Sequence, residues 1–475
     1  MQNVPYLIST LITLLVASFI GIRASKKVKS AADFALGGRS FGTGKVAAVI
    51  VGTLVGGAST IGTAQAAFVK GFGGIWFSIG SAVGCLVLGL FMASPLRRSG
   101  VVTIPEFIRT YYGDKARLSS SILSSIAIFV HINGQILSAV AIFTSLFGIT
   151  QSVATAVSVA LIISYIFFGG FLGSSAIGSI KTALLYGALL LGGFVVLSGF
   201  GGLPQFTGAF TFNPWFNVFS DGILPSLASG FSVALGVCAT QTYLQAIFSA
   251  KDVKAAKSGA ILSAALTLPI GILSAMIGMY MSRFYPNIQP SQALPLFVME
   301  KFGPVIGGVV IATLIISVVA TGSGLCLGIC TMISRDIYKG FINKDATDAN
   351  ELKVLRSAVL GVMGVAVMLV MFNLDSLILK WAFLSMALRG TVAFLPLFFI
   401  LILRHGVPKK AGGIAIVAAP VITIAAAVSG VVPVDPLYIG LSVGLAIFIV
   451  GILFEKRDVA AGGEVKSDEA TVDKL

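Results

Sequence analysis

Charge is what this sequence has least of. Charged residues make up 11% of 475 positions, acidic residues number 18, and hydrophobic residues reach 56%, with mean hydropathy +1.00. A soluble domain does not fold with so few charges, so the class is an all-α polytopic membrane protein. Histidine is rarer still, with two in the chain, and there are four cysteines. Cys85, Cys238, Cys326 and Cys330 all sit inside apolar segments. Cys326 and Cys330 share a helix face, but no His or acid lies near them in sequence, so all four read as small buried packing residues. No nucleophile–base pair or metal cluster appears, which argues against an enzyme and against a cofactor.

A basic region ahead of the first apolar run is missing too. That run ends in Arg23, Lys26, Lys27 and Lys29 instead of a small-residue cleavage site. It reads as a retained first helix with its basic end in the cytoplasm, not a signal peptide. What the chain has in excess is positive charge, net +14, and glycine, 55 residues. Such a balance would ordinarily suggest nucleic acid, but the charges fall in short loops on one side of the membrane, which excludes that partner. The glycines suit close helix packing in lipid.

With about 20 apolar residues per crossing, thirteen segments follow: 5–23, 45–69, 75–95, 119–147, 151–170, 176–199, 222–247, 258–282, 303–333, 355–373, 376–402, 412–431 and 437–454. Threaded alternately, the cytoplasmic loops carry Arg23/Lys26/Lys27/Lys29/Arg39, Arg97/Arg98/Arg109, Lys251/Lys254/Lys257, Arg335/Lys339 and Arg404/Lys409/Lys410. The opposite loops carry little beyond Lys70, Arg283 and Lys301, with Asp221, Glu300, Asp375 and Asp435. Positive charge inside places the N-terminus outside and the C-terminus in the cytoplasm, in a plasma (inner) membrane. Thr103 to Arg109 opens a short amphipathic cytoplasmic helix, capped by Thr103 with Pro105 in its first turn. The loop 200–221 is the longest external one, placed to cover a site.

Two crossings are interrupted. The stretch Gly52 to Gln65 carries glycines and hydroxyls where an anchor would carry Leu and Ile, with its break at Val55-Gly56-Gly57. An unwound turn in mid-membrane survives only if it lines a polar cavity or binds an ion. The seventh segment carries Gly230, Gly236 and Thr240-Gln241-Thr242, five crossings later. This spacing predicts a 5+5 inverted repeat with a discontinuous first helix in each copy. One domain over 1–455 results: 1–44 an extra helix and basic loop, 45–199 and 222–402 the repeats, and 412–455 two peripheral helices. Residues 456–475 are expected to form a disordered cytoplasmic tail.

Six motifs then stand in order between about 40 and 400. They are Leu36-Gly37-Gly38-Arg39-Ser40; Ser59, Gly62, Phe68 and Gly71 before Trp76; and Thr103-Ile104-Pro105-Glu106-Phe107 with Tyr112-Gly113. Gly169-Gly170 follows, then Gln245 with Ala250-Lys251-Asp252, and Ser317 and Thr321 ahead of Ser334-Arg335-Asp336-Ile337-Tyr338-Lys339. Together they resemble the sodium/solute symporter family. The resemblance implies the leucine-transporter-type fold with one added N-terminal helix, and a sodium site of backbone carbonyls from the first break plus oxygens from segment 9. Carried over, the carbonyls fall on Gly52 and Val55 and the remaining ligands on Ser317, Ala320 and Thr321. A hard cation wants several oxygens, and an unwound turn supplies them without burying a charge.

Three positions depart from the pattern. Ala320 replaces one of two adjacent hydroxyls. In Ile177-Gly178-Ser179-Ile180-Lys181, where the family carries a Thr-Asp pair and then Gln, Gly178 replaces the acid and Lys181 the Gln. An ammonium this deep in an apolar run needs interior oxygens. Burial penalises its charged form, so it would be able to take and release a proton. Lys181 therefore either occupies the cation site, doing with H+ what Na+ does elsewhere in the family, or snorkels to cytoplasmic water.

For a small-molecule solute, Ser59, Ile61, Gln65, Ser78 and Ser81 are expected to line a cavity completed by Gln135, Thr240 and Gln241. Asn133 and Gln135 cannot share a face, and Gln135 is the one expected to face the cavity. His131 reads as a packing residue. Arg389 stands about a dozen residues from either end of segment 11, too deep for snorkelling, and suits bidentate binding of a carboxylate; the alternative is pairing with carbonyls or with an acidic residue at the external gate, such as Asp375. The expectation is a cation-coupled symporter importing a small organic solute by alternating access, the substrate weakly favoured as anionic or zwitterionic. A solute sensor would need a signalling domain, and a channel would need a continuous polar pore. Beyond the lipid bilayer, no obligate protein partner is evident.

Overall fold

In the computed structural model, residues 4–25, 39–372, 377–403, 406–429 and 435–455 are described, without the side chains of 20–25 and 167–177. Among them every regular element is helical, apart from one isolated bridge between Phe41 and Ala250. That is what lipid demands: a helix satisfies its backbone within the segment, whereas an open sheet edge would not. Lys26, Lys27, Lys29, Leu36-Gly37-Gly38, Asp375, Arg404 and the tail 456–475 lie outside the described residues, and Arg23, Gly169, Gly170 and Ile177 are described in backbone alone.

The chain opens with α1 (Val4–Ser25), then α2 (Thr43–Leu54), a π-helical turn at Ala58–Gly62 and α3 (Thr63–Lys70). Next come α4 (Trp76–Val87), continued to Arg98, then α5 (Ile104–Tyr112), α6 (Asp114–Phe147) and α7 (Gln151–Phe200). The second half holds α8 (Ile223–Cys238), α9 (Gln241–Phe248), α10 (Val253–Phe284), α11 (Ala293–Lys301) and α12 (Pro304–Met332). It ends with α13 (Asp348–Met371), α14 (Ile378–Arg389), α15 (Leu395–Leu403), α16 (Lys409–Ser429) and α17 (Pro436–Phe454).

Nine helices among the described residues are long and apolar enough to cross a membrane, ten if the α8–α9 pair, bent by 43°, is one span. Three shorter apolar helices, Val4–Phe19, Thr43–Leu54 and Gln151–Ile166, fall below that length. One boundary differs from the sequence reading. The expected turn at 170–176 is helical, so α7 runs unbroken for 50 residues. No proline or charge in 170–176 forces the chain out of the helix.

Both expected interruptions are present. α2 ends at Leu54, and Val55 leaves the helix with φ −85° and ψ 90°. The second break falls at Ala239 and Thr240, between α8 and α9. At the centre lies α12, buried from Val310 to Met332, against α1, α6 and α7. The other half of the bundle is tied by α10, which packs on α2, α3 and α4. α16 and α17 pair with each other at the periphery.

The expected amphipathic helix is α5. Thr103 Oγ1 accepts from Glu106 N, and the Glu106 carboxylate accepts from Val102 N at 2.9 Å, a reciprocal cap. The 200–221 loop packs over the turn Gly71–Ile75: Trp76 Nε1 donates to Val218 O at 2.6 Å and Phe72 stacks on Phe216. Gly71 has φ +62°, and a Cβ there would lie 2.2 Å from Trp215 O, so both conformation and space require glycine.

Candidate cation and substrate site

The site begins with the break in α2. Gly56 and Gly57 let polar side chains reach the unwound backbone: a Cβ on Gly56 would stand 2.5 Å from Gln135 Oε1 and 2.6 Å from Thr321 Oγ1. Gln135 Oε1 accepts from Gly57 N at 2.8 Å, meeting a backbone donor that lipid could not. On the far side, Ser317 Oγ donates to Val55 O at 3.1 Å.

Lys181 fills the space between. It is 1% exposed, and its Nζ donates to Gly52 O at 2.6 Å, Ser317 O at 2.9 Å and Thr321 Oγ1 at 3.0 Å. An ammonium has three protons and no acceptor, so three oxygens match it completely. Of the two places open to Lys181, the structure has it buried among oxygens of the residues expected for a cation site and not at the cytoplasmic surface. Gly52, Ser317 and Thr321 come together as expected. Val55 contributes its carbonyl to the Ser317 hydroxyl instead, and Ala320 brings no side-chain oxygen.

Gly178 is what lets α7 come close enough. Its backbone lies directly against Gly52, where a Cβ would be 2.8 Å from Gly178 Cα, and a Cβ on Gly178 would lie 3.0 Å from Ala48 O. The residue that reads in sequence as a lost acid is a contact between two backbones.

The expected substrate residues divide among several places. Arg389 is completely buried: Nη1 donates to Thr240 Oγ1 at 2.9 Å and Nη2 to Ser385 Oγ at 2.7 Å. Ser385 Oγ in turn donates to Ala127 O on α6. One turn up that face stands His131, edge-on to Phe77, and one turn further Gln135, so α6 links Arg389 to the break in α2. His131 is thus on the polar stripe and not only in packing. Both its ring nitrogens, Gln135 Nε2, Arg389 Nε, Ser81 Oγ and both amide atoms of Asn133 are buried without hydrogen-bond partners. Such groups are costly in an apolar interior unless a ligand or water meets them.

Gln241 does something else. Its amide donates to Val102 O at 3.0 Å and accepts from Ile104 N at 2.8 Å, holding the start of α5. Ser78 lies against Gly271 of α10, and Ser59 Oγ is directed back to Leu54 O at 3.4 Å. Gln65 lines a separate cavity of about 220 Å³ with Leu137, Gln151, Gln289 and Ile378, and accepts from Ile378 N at 3.2 Å. Ile61 is buried in the core.

Comparison with known proteins bears on all of this. The family model described as the sodium:solute symporter family matches residues 34–407. The chain belongs to this family. Among curated symporter relatives, the high-affinity proline transporter PutP of Bacillus subtilis is 26% identical over 74% of this chain and 77% of its own. The osmoregulated proline transporter OpuE of the same organism is 24% identical over 78% of each chain. A Na+-coupled sialic acid symporter, solved in a substrate-bound outward-open state, has TM-score 0.80 at 18% identity, covering 96% of this chain and 98% of its own. The hydantoin-bound closed form of Mhp1, a nucleobase-cation-symport-1 transporter, has TM-score 0.64 at 15% identity, covering 93% and 98%.

Sodium coupling is the general property of the sodium:solute symporter family, and the chain is a transporter, not an enzyme. Against that background the ammonium at Gly52, Ser317 and Thr321 stands out. Two further residues belong to this region, Ser385 and Ser138. Ser385 stands four residues before Arg389, on the same face, so helical spacing alone would have marked it. Ser138, whose Oγ would be 2.0 Å from a Cβ on Gly57, carries no signal in sequence.

Proposed function

We propose that this symporter takes up a small carboxylate-bearing solute with protons, Lys181 standing in for the coupling sodium. One observation carries the reading: Lys181 Nζ is held by Gly52 O, Ser317 O and Thr321 Oγ1, on two different helices. A sodium ion among those oxygens would meet the ammonium at about 3 Å, a repulsion of roughly 5 kcal/mol at an effective dielectric near 20. The protonated side chain ties the broken helix α2 to α12. Losing one proton leaves a lone pair facing an oxygen, which weakens the tie and frees the break to move. Proton and solute are coupled if both favour the same conformation.

The substrate class follows from charge. Among the described residues the buried acids are Asp336 and Glu351, and neither is an ion-pair partner of Arg389. A guanidinium held by hydroxyls and, among the described residues, without a counter-ion suits a solute carboxylate. The proline and sialic acid handled by the relatives also carry one.

The architecture we assign is thirteen crossings. The count takes the nine long helices, the bent pair and the three shorter apolar helices; because Gln151–Ile166 and Gly178–Phe200 both lie in α7, it requires the chain to turn back between them. Two inverted five-helix repeats, an external N-terminus and a plasma-membrane location complete the assignment.

The test is uptake into proteoliposomes under sodium and proton gradients imposed separately. Concentrative uptake on an inward proton gradient alone is expected, with proton dependence lost in Lys181→Gln. Full uptake on sodium alone at constant pH, unchanged in Lys181→Gln, would end the proposal. Downhill equilibration only would mark a channel, and binding without flux a sensor.

A further inference from the structure

Sharing no residue with the candidate site, a groove of about 780 Å³ runs between α6 and α16. Lys115, Lys409 and Lys410 line one end, and Ile414, Val417 and Val421 line its length. The apolar residues are 58%, 41% and 49% exposed, on a helix long and apolar enough to cross a membrane. Hydrocarbon is therefore the medium that covers them.

The lysines are the unusual part. Among the described residues none of the three is in an ion pair. Asp114, next to Lys115 in the chain, and Glu455, in contact with the Lys410 backbone, both have other partners. Asp114 pairs with Arg109 Nε at 2.6 Å. Glu455 accepts from Lys410 N at 2.8 Å and Ala411 N at 3.2 Å, capping α16. Three ammonium groups without an ion-pair partner among the described residues thus sit where an apolar groove meets the end of its helices. A single molecule matches both halves: a negative head for the lysines and acyl chains for the groove.

We infer that this groove binds an anionic phospholipid, its headgroup phosphate on Lys115, Lys409 and Lys410 and its chains along Ile414, Val417 and Val421. The acyl half has a definable floor. A Cβ built on Gly413 meets nothing within 4 Å, so that position opens into the groove.

Native mass spectrometry of the detergent-purified full chain, with phosphatidylglycerol or phosphatidylcholine added, tests this. One phosphatidylglycerol should be retained, with a preference on the order of tenfold over phosphatidylcholine. The triple variant Lys115→Gln, Lys409→Gln, Lys410→Gln changes only exposed side chains and should abolish that preference. Gly413→Phe should fill the groove and lower retention of both lipids while leaving the headgroup lysines in place. Equal retention of the two lipids by the parent chain would overturn the inference, as would a preference unchanged in the triple variant. So would full competition by inorganic phosphate, which would mark an anion site without chains, or a dimer mass that displaces lipid, which would mark an interface between copies.

Discussion

Three oxygens around one amine decide the chemistry at the residue scale, and they also define how to reverse it. Removing the ammonium in Lys181→Gln leaves Gly52 O, Ser317 O and Thr321 Oγ1 around a gap, and Ala320→Ser restores the hydroxyl that the family pattern carries beside Thr321. The double variant is expected to gain sodium binding. With sodium at about 100 times its Kd, mass action adds about 2.7 kcal/mol, read as a rise in melting temperature in sodium over potassium. The parent chain should show none. A melting point indifferent to sodium in the double variant would mean that these oxygens do not form a cation site. The neighbouring glycine gives a second test. In Gly52→Ala the new methyl would stand 2.8 Å from Gly178 Cα, backbone that cannot rotate away. It should push α2 and α7 apart, cost about 1–3 kcal/mol, and abolish uptake with Lys181 still present. Normal transport in that variant would show that the close contact is not needed.

At the scale of elements, the breaks matter for what they hold as well as for what they expose. The second break places Gln241 against Val102 O and Ile104 N, and so pins the amphipathic α5 from above. From the other side Thr103 Oγ1 donates to Asp336 Oδ1 at 3.0 Å, where Arg117 Nε also donates at 2.8 Å. A segment clamped between α9 and the π-helical turn Ile333–Ile342 that follows α12 must release when either moves. Gln241→Leu removes one clamp and leaves Ile104 N without its partner. Amide exchange across 102–112 should rise by roughly tenfold or more, corresponding to about 1–3 kcal/mol for the lost buried hydrogen bonds. Exchange unchanged there would assign the closure to the Asp336 side alone. These elements also show what a sequence reveals. The two breaks were legible because glycine pairs and polar runs are out of place in a membrane helix, and α5 was legible from its cap. Which way a glutamine turns was not. Gln135 and Gln241 look alike in sequence, yet one meets the break in α2 and the other holds α5, because facing depends on neighbours far away in the chain. Gly178 misled for the same reason: its role is a contact with Gly52, 126 positions earlier.

For the whole molecule the deciding quantity is net charge moved per cycle. The interior holds Lys181 and Arg389, and the buried acids among the described residues, Asp336 and Glu351, pair with Arg117 and Lys339. In the proposed cycle a solute carboxylate balances Arg389, and the proton on Lys181 is the one that travels. One proton with one monoanion carries no net charge, so a membrane potential does no work on the cycle. One proton with a zwitterion carries one positive charge, on which 100 mV does about 2.3 kcal/mol of work. Uptake of a monoanionic substrate into proteoliposomes should therefore be unaffected by a negative-inside potassium diffusion potential at fixed pH gradient. A zwitterionic substrate should accumulate further by a factor of up to about fifty at 100 mV. If a monoanion is instead strongly driven by the potential, a second cation must move with it, and a single proton on Lys181 would not account for the coupling.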